Sequence, residues 1–322
     1  MLDSRSSSAG FCQINRAYNS TFVPDRLSLG LVVPIESYPA SPVPQMDRHL
    51  ERARLAEELG FSALWLRDVP FNVPSFGDAG QIFDPFVYLG YLAASTERIA
   101  LGVASVILPL RHPAHVAKAA ASADQLSGGR LLLGIASGDR PQEYPAMAKS
   151  FEERGEKFRE HLEYLRRMAE DDPSFESPAG YPHGVDLLPK PVGTRLPILI
   201  TGSSRQSPDW VAGHGDGWMT YPRDLISQAQ AVRDYRAQVA STGMNQKPVM
   251  QSLYVDIEAT RDARPKPIHL GFRSGVDPLI DYLKALRTIG VNHVALNLRF
   301  NTADIEDTMK RLSEDVLPEI NS

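Results

Sequence analysis

Residues 99–136 read IALGVASVILPLRHPAHVAKAAASADQLSGGRLLLGIA, and this stretch decides the fold. Ile99 to Ile107 is an unbroken apolar run, the pattern of a parallel strand buried on both faces. Pro113 then opens a helix that continues to Leu126, since proline suits the first helical position. Gly128 and Gly129 end it, and a second apolar run, Arg130 to Ala136, follows at once. Strand, helix, glycine and strand make one βαβ unit, which forces a parallel pair.

The same grammar extends in both directions. Upstream, strand Leu27–Val33 leads through a proline-rich loop to helix Gln45–Leu59, Gly60 and strand Phe61–Leu66; helix Phe86–Ala94 comes next. Downstream come helix Phe151–Met168, strand Pro197–Thr201, helix Pro208–His214, strand Gly217–Tyr221, helix Leu225–Ala240 and strand Val249–Ile257. Helix Pro278–Ile289, strand Val291–Leu298 and a terminal helix complete the set. Eight strands separated by helices predict an α/β (β/α)8 TIM barrel with insertion loops. The expected division is an N-terminal arm, 1–26, outside the core, and a single barrel domain, 27–322. Residues 171–195 break the rhythm and are expected to form a long excursion loop.

The 322 residues carry a net charge of −5, which argues against nucleic acid or an anionic membrane as a partner. No apolar run approaches the ~20 residues of a membrane span. Cys12 is the only cysteine, so no internal disulfide is possible, and the polar start is unlike a secretory signal; a cytoplasmic protein is expected.

Common chemical motifs are missing. There is no P-loop, no HExxH and no CxxC, and His112 with His115 lacks a third ligand, so no metal site is expected. Gly213–Gly217 follows a helix and precedes a strand, the reverse of a dinucleotide loop, and reads as a helix cap and turn. Barrel chemistry sits at the C-terminal strand ends. Those ends hold Asp68, Ser105, Ser137, Gly138, Thr201, Gly202, Ser203 and Ser204, with arginines nearby. Hydroxyls and glycines predict a ligand held by hydrogen bonds. Gly202-Ser203-Ser204 fits either an anion site or plain helix capping.

The run from Arg98 to Pro113, with Asp124–Arg130, Leu133–Gly138, Ala56–Trp65, Ala212–Trp218 and Gly290–Val294, closely resembles the bacterial-luciferase-like flavin-dependent oxidoreductases. The resemblance covers about residues 27–300 and implies a barrel, commonly a homodimer, that binds reduced FMN or a deazaflavin. It places Asp68 at the flavin ring edge, Ser105 on the ring, and His112 near the ring or ribityl chain. Ser137 and Gly138 would lie beneath the ribityl, and Thr201, Gly202, Ser203 and Ser204 at the phosphate. Asp68 and His112 are the implied catalytic residues, and Arg111 or Arg140 would neutralise an anionic group. Luciferases proper carry Glu-His-His after the second strand; here the chain reads Arg67-Asp68-Val69-Pro70, so light emission is not expected.

The implied function is a two-component monooxygenase. A separate reductase would supply reduced FMN, and O2 and a small organic substrate would meet in the barrel. The alternatives are deazaflavin-dependent hydride transfer and a non-catalytic flavin-binding protein. Loops 34–44, 69–84, 139–150 and 171–195 are expected to shape the substrate pocket.

Overall fold

Strands that are apolar throughout must be covered on both sides, and a closed barrel ringed by helices does this without leaving an edge. A computed structural model, which describes residues 10–171, 173 and 185–321, has that form. Eight parallel strands follow one another around it: β1 (Ser28–Val32), β2 (Ala63–Leu66), β3 (Ala100–Ile107), β4 (Leu131–Ala136), β5 (Ile198–Thr201), β6 (Gly217–Thr220), β7 (Val249–Ile257) and β10 (His293–Asn297). β10 closes the ring, pairing His293 with both Ser28 of β1 and Met250 of β7. Every strand expected from the sequence is present. β8 (Lys266–Ile268) and β9 (Gly271–Ser274) were not expected; they form an antiparallel hairpin whose second strand lies parallel to the end of β7.

The helices are α1 (Arg16–Thr21), α2 (His49–Glu58), α3 (Pro85–Ala93), α4 (Pro113–Leu126), α5 (Glu143–Ala146), α6 (Arg154–Met168), α7 (Pro208–His214), α8 (Leu225–Ser241), α9 (Val276–Thr288), α10 (Ile305–Arg311) and α11 (Leu317–Asn321). α4 starts at its proline and stops where Gly128 and Gly129 take positive φ of 65° and 80°. α7 is closed at Gly215, as the cap-and-turn reading expected.

Two packing results differ from expectation. The described part of the N-terminal segment is core: Phe11, Ile14, Tyr18 and Phe22 pack inside the strands against Trp65, Leu132, Leu199 and Met250. The interior faces of β1 to β4 carry Gly30, Ala63, Ala100, Gly102 and Gly134, too small to fill the lumen alone, so α1 fills it from the N-terminal strand ends. Asn15 caps α1 at the N–H of Tyr18 and bridges to Asp124 and the Leu131 carbonyl, both at 2.9 Å.

The described end of the excursion also sits elsewhere than expected. Residues 172 and 174–184 lie outside the described residues. The stretch from 185 folds back on α4, where Val192 N–H donates to Asp124 at 2.8 Å and Gln125 to the Lys190 carbonyl at 2.9 Å.

Candidate functional site

The C-terminal strand ends surround a cavity of about 840 Å3. That volume lies in the range of cofactor and substrate clefts. Of the four loops expected to shape it, 69–84 and 139–150 contribute to the wall; 34–44 and the described part of 171–195 do not. Asp68, Ser105, Ser137, Gly138, Thr201, Gly202, Ser203 and Ser204 all line the cavity. His112 does not. It is exposed, and Nδ1 accepts the Ala114 N–H at 3.2 Å, which makes it the N-cap of α4.

Asp68 closes β2 with both oxygens occupied. Arg111 grips it through Nε at 2.9 Å and Nη2 at 2.7 Å, and the Ile107 N–H donates at 3.0 Å. Arg111 also reaches Asp84 at 2.9 Å. Arg111, one of the two arginines expected to neutralise a ligand, is therefore engaged within the protein and does not line the cavity, and Asp68 is a fixed, paired carboxylate.

On β3 the Ala104–Ser105 peptide is cis, and the Ser105 hydroxyl meets that of Thr201 on β5. The Met219 sulfur accepts from Thr201 at 3.3 Å. Gly138 has φ +76°, and a Cβ there would stand 2.7 Å from Ile107 Cγ2. The Tyr144 hydroxyl donates to the Ser137 carbonyl and fixes the end of β4.

The loop after β5 turns sharply, with positive φ at Gly202 (56°), Ser204 (45°) and Arg205 (63°). Successive turns of this kind point backbone N–H groups into a concavity that suits an anion. Gly202 N–H is used by the Met219 carbonyl at 2.8 Å, but those of Ser203 and Ser204 meet no acceptor among the described residues. Ser204 Oγ donates to the Thr201 carbonyl at 2.8 Å; the Ser203 hydroxyl proton is free to serve a ligand. The site of a Cβ on Gly202 is open, with nothing within 4 Å.

Arginines form the other polar wall. Arg67 donates to Asp78 at 2.6 Å, and Arg299 reaches the same oxygen at 3.0 Å. Burial works to raise the Asp78 pKa, but Arg67, the Gly80 N–H and Arg299 together hold it below the ordinary carboxylate value. Arg140 donates to the Asp78 carbonyl at 3.1 Å and stands 4.0 Å from Glu143. Burial, reinforced by Asp68 and Asp139 and opposed by Arg140, pushes Glu143 up to about 7.

Sequence reasoning put Arg67 and Arg299 at the strand ends without giving them a role, and missed Glu143 and His269 as site residues. His269 sits at the tip of the β8–β9 hairpin and is the one histidine among the described residues lining the cavity. Its ring packs 5.5 Å from Tyr254 and 6.4 Å from Phe300, and its nitrogens have no hydrogen-bond partner among the described residues. A Cβ on Gly271 would fall 1.8 Å from the Tyr254 carbonyl; that glycine in Leu270-Gly271 was the local signal of a tight approach.

Comparison with known proteins agrees with this architecture. A family model described as luciferase-like monooxygenase matches residues 27–316. An uncharacterised protein of Mycobacterium bovis is 29% identical, the match covering 78% of this chain and 87% of that protein. The F420-dependent hydroxymycolic acid dehydrogenase of Mycobacterium tuberculosis is 28% identical over 73% of this chain and 63% of its own length. Among solved structures, the monooxygenase RslO1 from Streptomyces bottropensis superimposes with a TM-score of 0.75 at 22% identity, over 90% of this chain and 99% of its own. That likeness shows a shared fold.

Proposed function

Because the chain belongs to the luciferase-like monooxygenase family, we propose that it is an oxidoreductase that takes reduced FMN from a separate reductase and uses O2 on a small organic substrate. One observation carries the proposal: at the end of β5, inside the cavity, two backbone N–H groups and the hydroxyl proton of Ser203 meet no acceptor among the described residues. Such donors fit the phosphate of a flavin nucleotide.

Ser203 and Ser204 would hold the phosphate, with Gly202 giving it room. Thr201, Ser105, Ser137, Gly138 and Asp68 would line the rest of the cofactor. When bound, FMN supplies the redox chemistry. The protein binds and orients it, and its closed floor keeps bulk water from below. His269 and Glu143 are the cavity groups suited to exchange a proton with the substrate; His112 has no part, because it stands outside.

A second reading is hydride transfer with the deazaflavin F420, favoured by the resemblance to the mycobacterial dehydrogenase. Titration under nitrogen with reduced FMN and reduced F420 decides between them. Tight FMN binding, and 18O from O2 in the product, are expected; F420 binding alone overturns the FMN reading, and binding of neither overturns both. Replacing Ser203 and Ser204 with Ala should weaken FMN far more than riboflavin, and equal weakening would remove the phosphate assignment.

Self-association belongs to the same proposal. Val87 and Tyr91 on α3, with Ile82 and Phe83, leave an apolar face in water, with Val87 73% exposed. A dimer through this face predicts that Val87→Asp yields monomers in sedimentation.

A further inference from the structure

The cavity wall holds more buried cation than the protein itself satisfies. Arg67, Arg140 and Arg299 come from the ends of β2, β4 and β10 and converge on the loop carrying Asp78. Among the described residues Asp78 is the one carboxylate within hydrogen-bond distance of them, and of the three arginines its carboxylate pairs with Arg67 and Arg299 but not Arg140. Arg140 reaches a neutral carbonyl, and Glu143, its nearest acid, stands 4.0 Å away. Asp68 offers no relief, because Arg111 holds both its oxygens. Asp139 also lines the cavity, but it is exposed to water.

The deficit shows in individual atoms. Arg140 is 7% exposed and Arg299 8%, and each keeps one buried N–H, at Nη1 and Nε, that no acceptor among the described residues meets. Buried charges in proteins are normally paired, since an unpaired one pays a large desolvation cost. Burial, followed by repulsion from Arg67, depresses the Arg140 pKa. Aromatic rings keep the cluster in place: Phe76 lies 4.6 Å from the Arg140 guanidinium, and Tyr38 4.8 Å from that of Arg299. Arg67 uses one nitrogen on Asp78 and retains 22% of its side chain exposed, so its remaining edge is open to a ligand.

We propose that Arg67, Arg140 and Arg299 form a subsite for an anionic group of the substrate, a carboxylate, phosphonate or sulfonate. A planar guanidinium is the side chain best shaped to receive such oxygens. The proposal rests on the oxidoreductase reading and deepens it by giving the substrate a charge. The anion would complete a cluster already assembled around Asp78.

The test is calorimetric titration of the protein at low salt with benzoate and phenylphosphonate, each against neutral benzamide, alongside separate titrations with FMN and riboflavin. Benzoate and phenylphosphonate are expected to bind about ten times more tightly than benzamide, the scale of one charge-assisted hydrogen bond. Arg67→Gln should erase that preference and Arg67→Lys retain part of it, while neither changes the ratio of FMN to riboflavin affinity. Arg299→Gln should act like Arg67→Gln; because it is buried, its melting curve is compared first, and the less buried Arg67 carries the result if Arg299→Gln unfolds.

Equal affinity for benzoate and benzamide, or no binding of either anion in the millimolar range, overturns the proposal. A loss of FMN over riboflavin preference in Arg67→Gln also overturns it, since the cluster would then hold the cofactor phosphate. If anions bind selectively but no flavin does, the subsite stands and the flavin reading falls.

Discussion

Trp65 donates its indole N–H to Nε2 of His293 across 2.8 Å inside the barrel. With Nε2 accepting, the histidine proton lies on Nδ1, which faces Ser28 Oγ at 2.6 Å. Burial alone pushes the His293 pKa down to about 3, so the ring stays neutral in the fold. The unfolded chain gains a proton near pH 6.5, and the fold does not; stability from this pair is therefore present above that pH and is lost as pH falls below it. Glu143 works in the opposite sense. Held at about 7, it is protonated in the fold at pH values where the unfolded chain has already ionised, so its contribution is present below the ordinary value of 4.5 and is lost as pH rises through about 7.

Between pH 4.5 and 6.5 the two groups oppose each other. Glu143→Gln should therefore steepen the acid-side loss of stability, by up to ~1.4 kcal/mol per pH unit. Urea unfolding at stepped pH reads this directly. An unchanged slope would mean that Glu143 titrates as an ordinary carboxylate.

Asp216 is buried between two arginines, with Arg166 at 2.7 Å and Arg195 at 2.8 Å, and it accepts the Ile198 N–H at 2.8 Å. Burial alone would raise its pKa, but the two guanidinium groups hold it below the usual range. Asp216→Asn should cost about 1–3 kcal/mol, since it weakens hydrogen bonds to charged groups while both arginines keep some access to water. Its effect belongs in denaturant midpoint rather than in ligand affinity, because the group lies below the barrel and outside the cavity wall.

Gly30 on β1 faces the same interior as Trp65 and His293. A Cβ there would stand 2.6 Å from the Ala63 carbonyl and 2.9 Å from His293 Nε2. Gly30→Ala should destabilise by roughly 1–3 kcal/mol through overpacking. It should also disturb the indole environment, visible as a shift in Trp65 fluorescence; an unaltered spectrum and melt would count against the packing described.

Arg111→Gln leaves Asp68, 1% exposed at the side chain, with the Ile107 N–H as its one remaining donor among the described residues. A loss of about 2–4 kcal/mol is expected from stranding this carboxylate. The double replacement Arg111→Gln with Asp68→Asn should recover part of it, and thermal melts of the two single variants and the pair form the cycle that tests this.

The eight strands were legible because parallel strands buried on both faces are apolar throughout, and glycine or proline punctuates each one. That same uniformity hid α1. Nothing in LGLVV or SALWL tells which residues face inward, so the small size of Gly30, Ala63 and Ala100 on the lumen side was invisible, and with it the need for a filler. The filler did carry a signal: Ile14, Ala17, Tyr18 and Thr21 are buried at helical spacing. At the mouth, strand ends named the correct region, and Ser105, Gly138 and Ser203 all line the cavity. Choosing between arginines was beyond it. Arg67 directly precedes Asp68 in sequence and Arg111 was expected to meet a ligand, yet Arg67 meets Asp78 at the cavity and Arg111 ties Asp68 to Asp84, a distinction made by tertiary pairing alone.

α1 has a consequence for how the chain is made. Tyr18 donates to the Asp216 carbonyl, Val23 accepts from Asn292, and Phe22 packs edge-on to His293, so partners of this segment lie near 200 and 270 residues downstream. Contacts so distant form late, after the entropy of closing long loops has been overcome. α1 leaves the ribosome before every barrel strand, and although its partners Asp124 and Leu131 follow about a hundred residues later, its packing is complete only once the last strand has been synthesised.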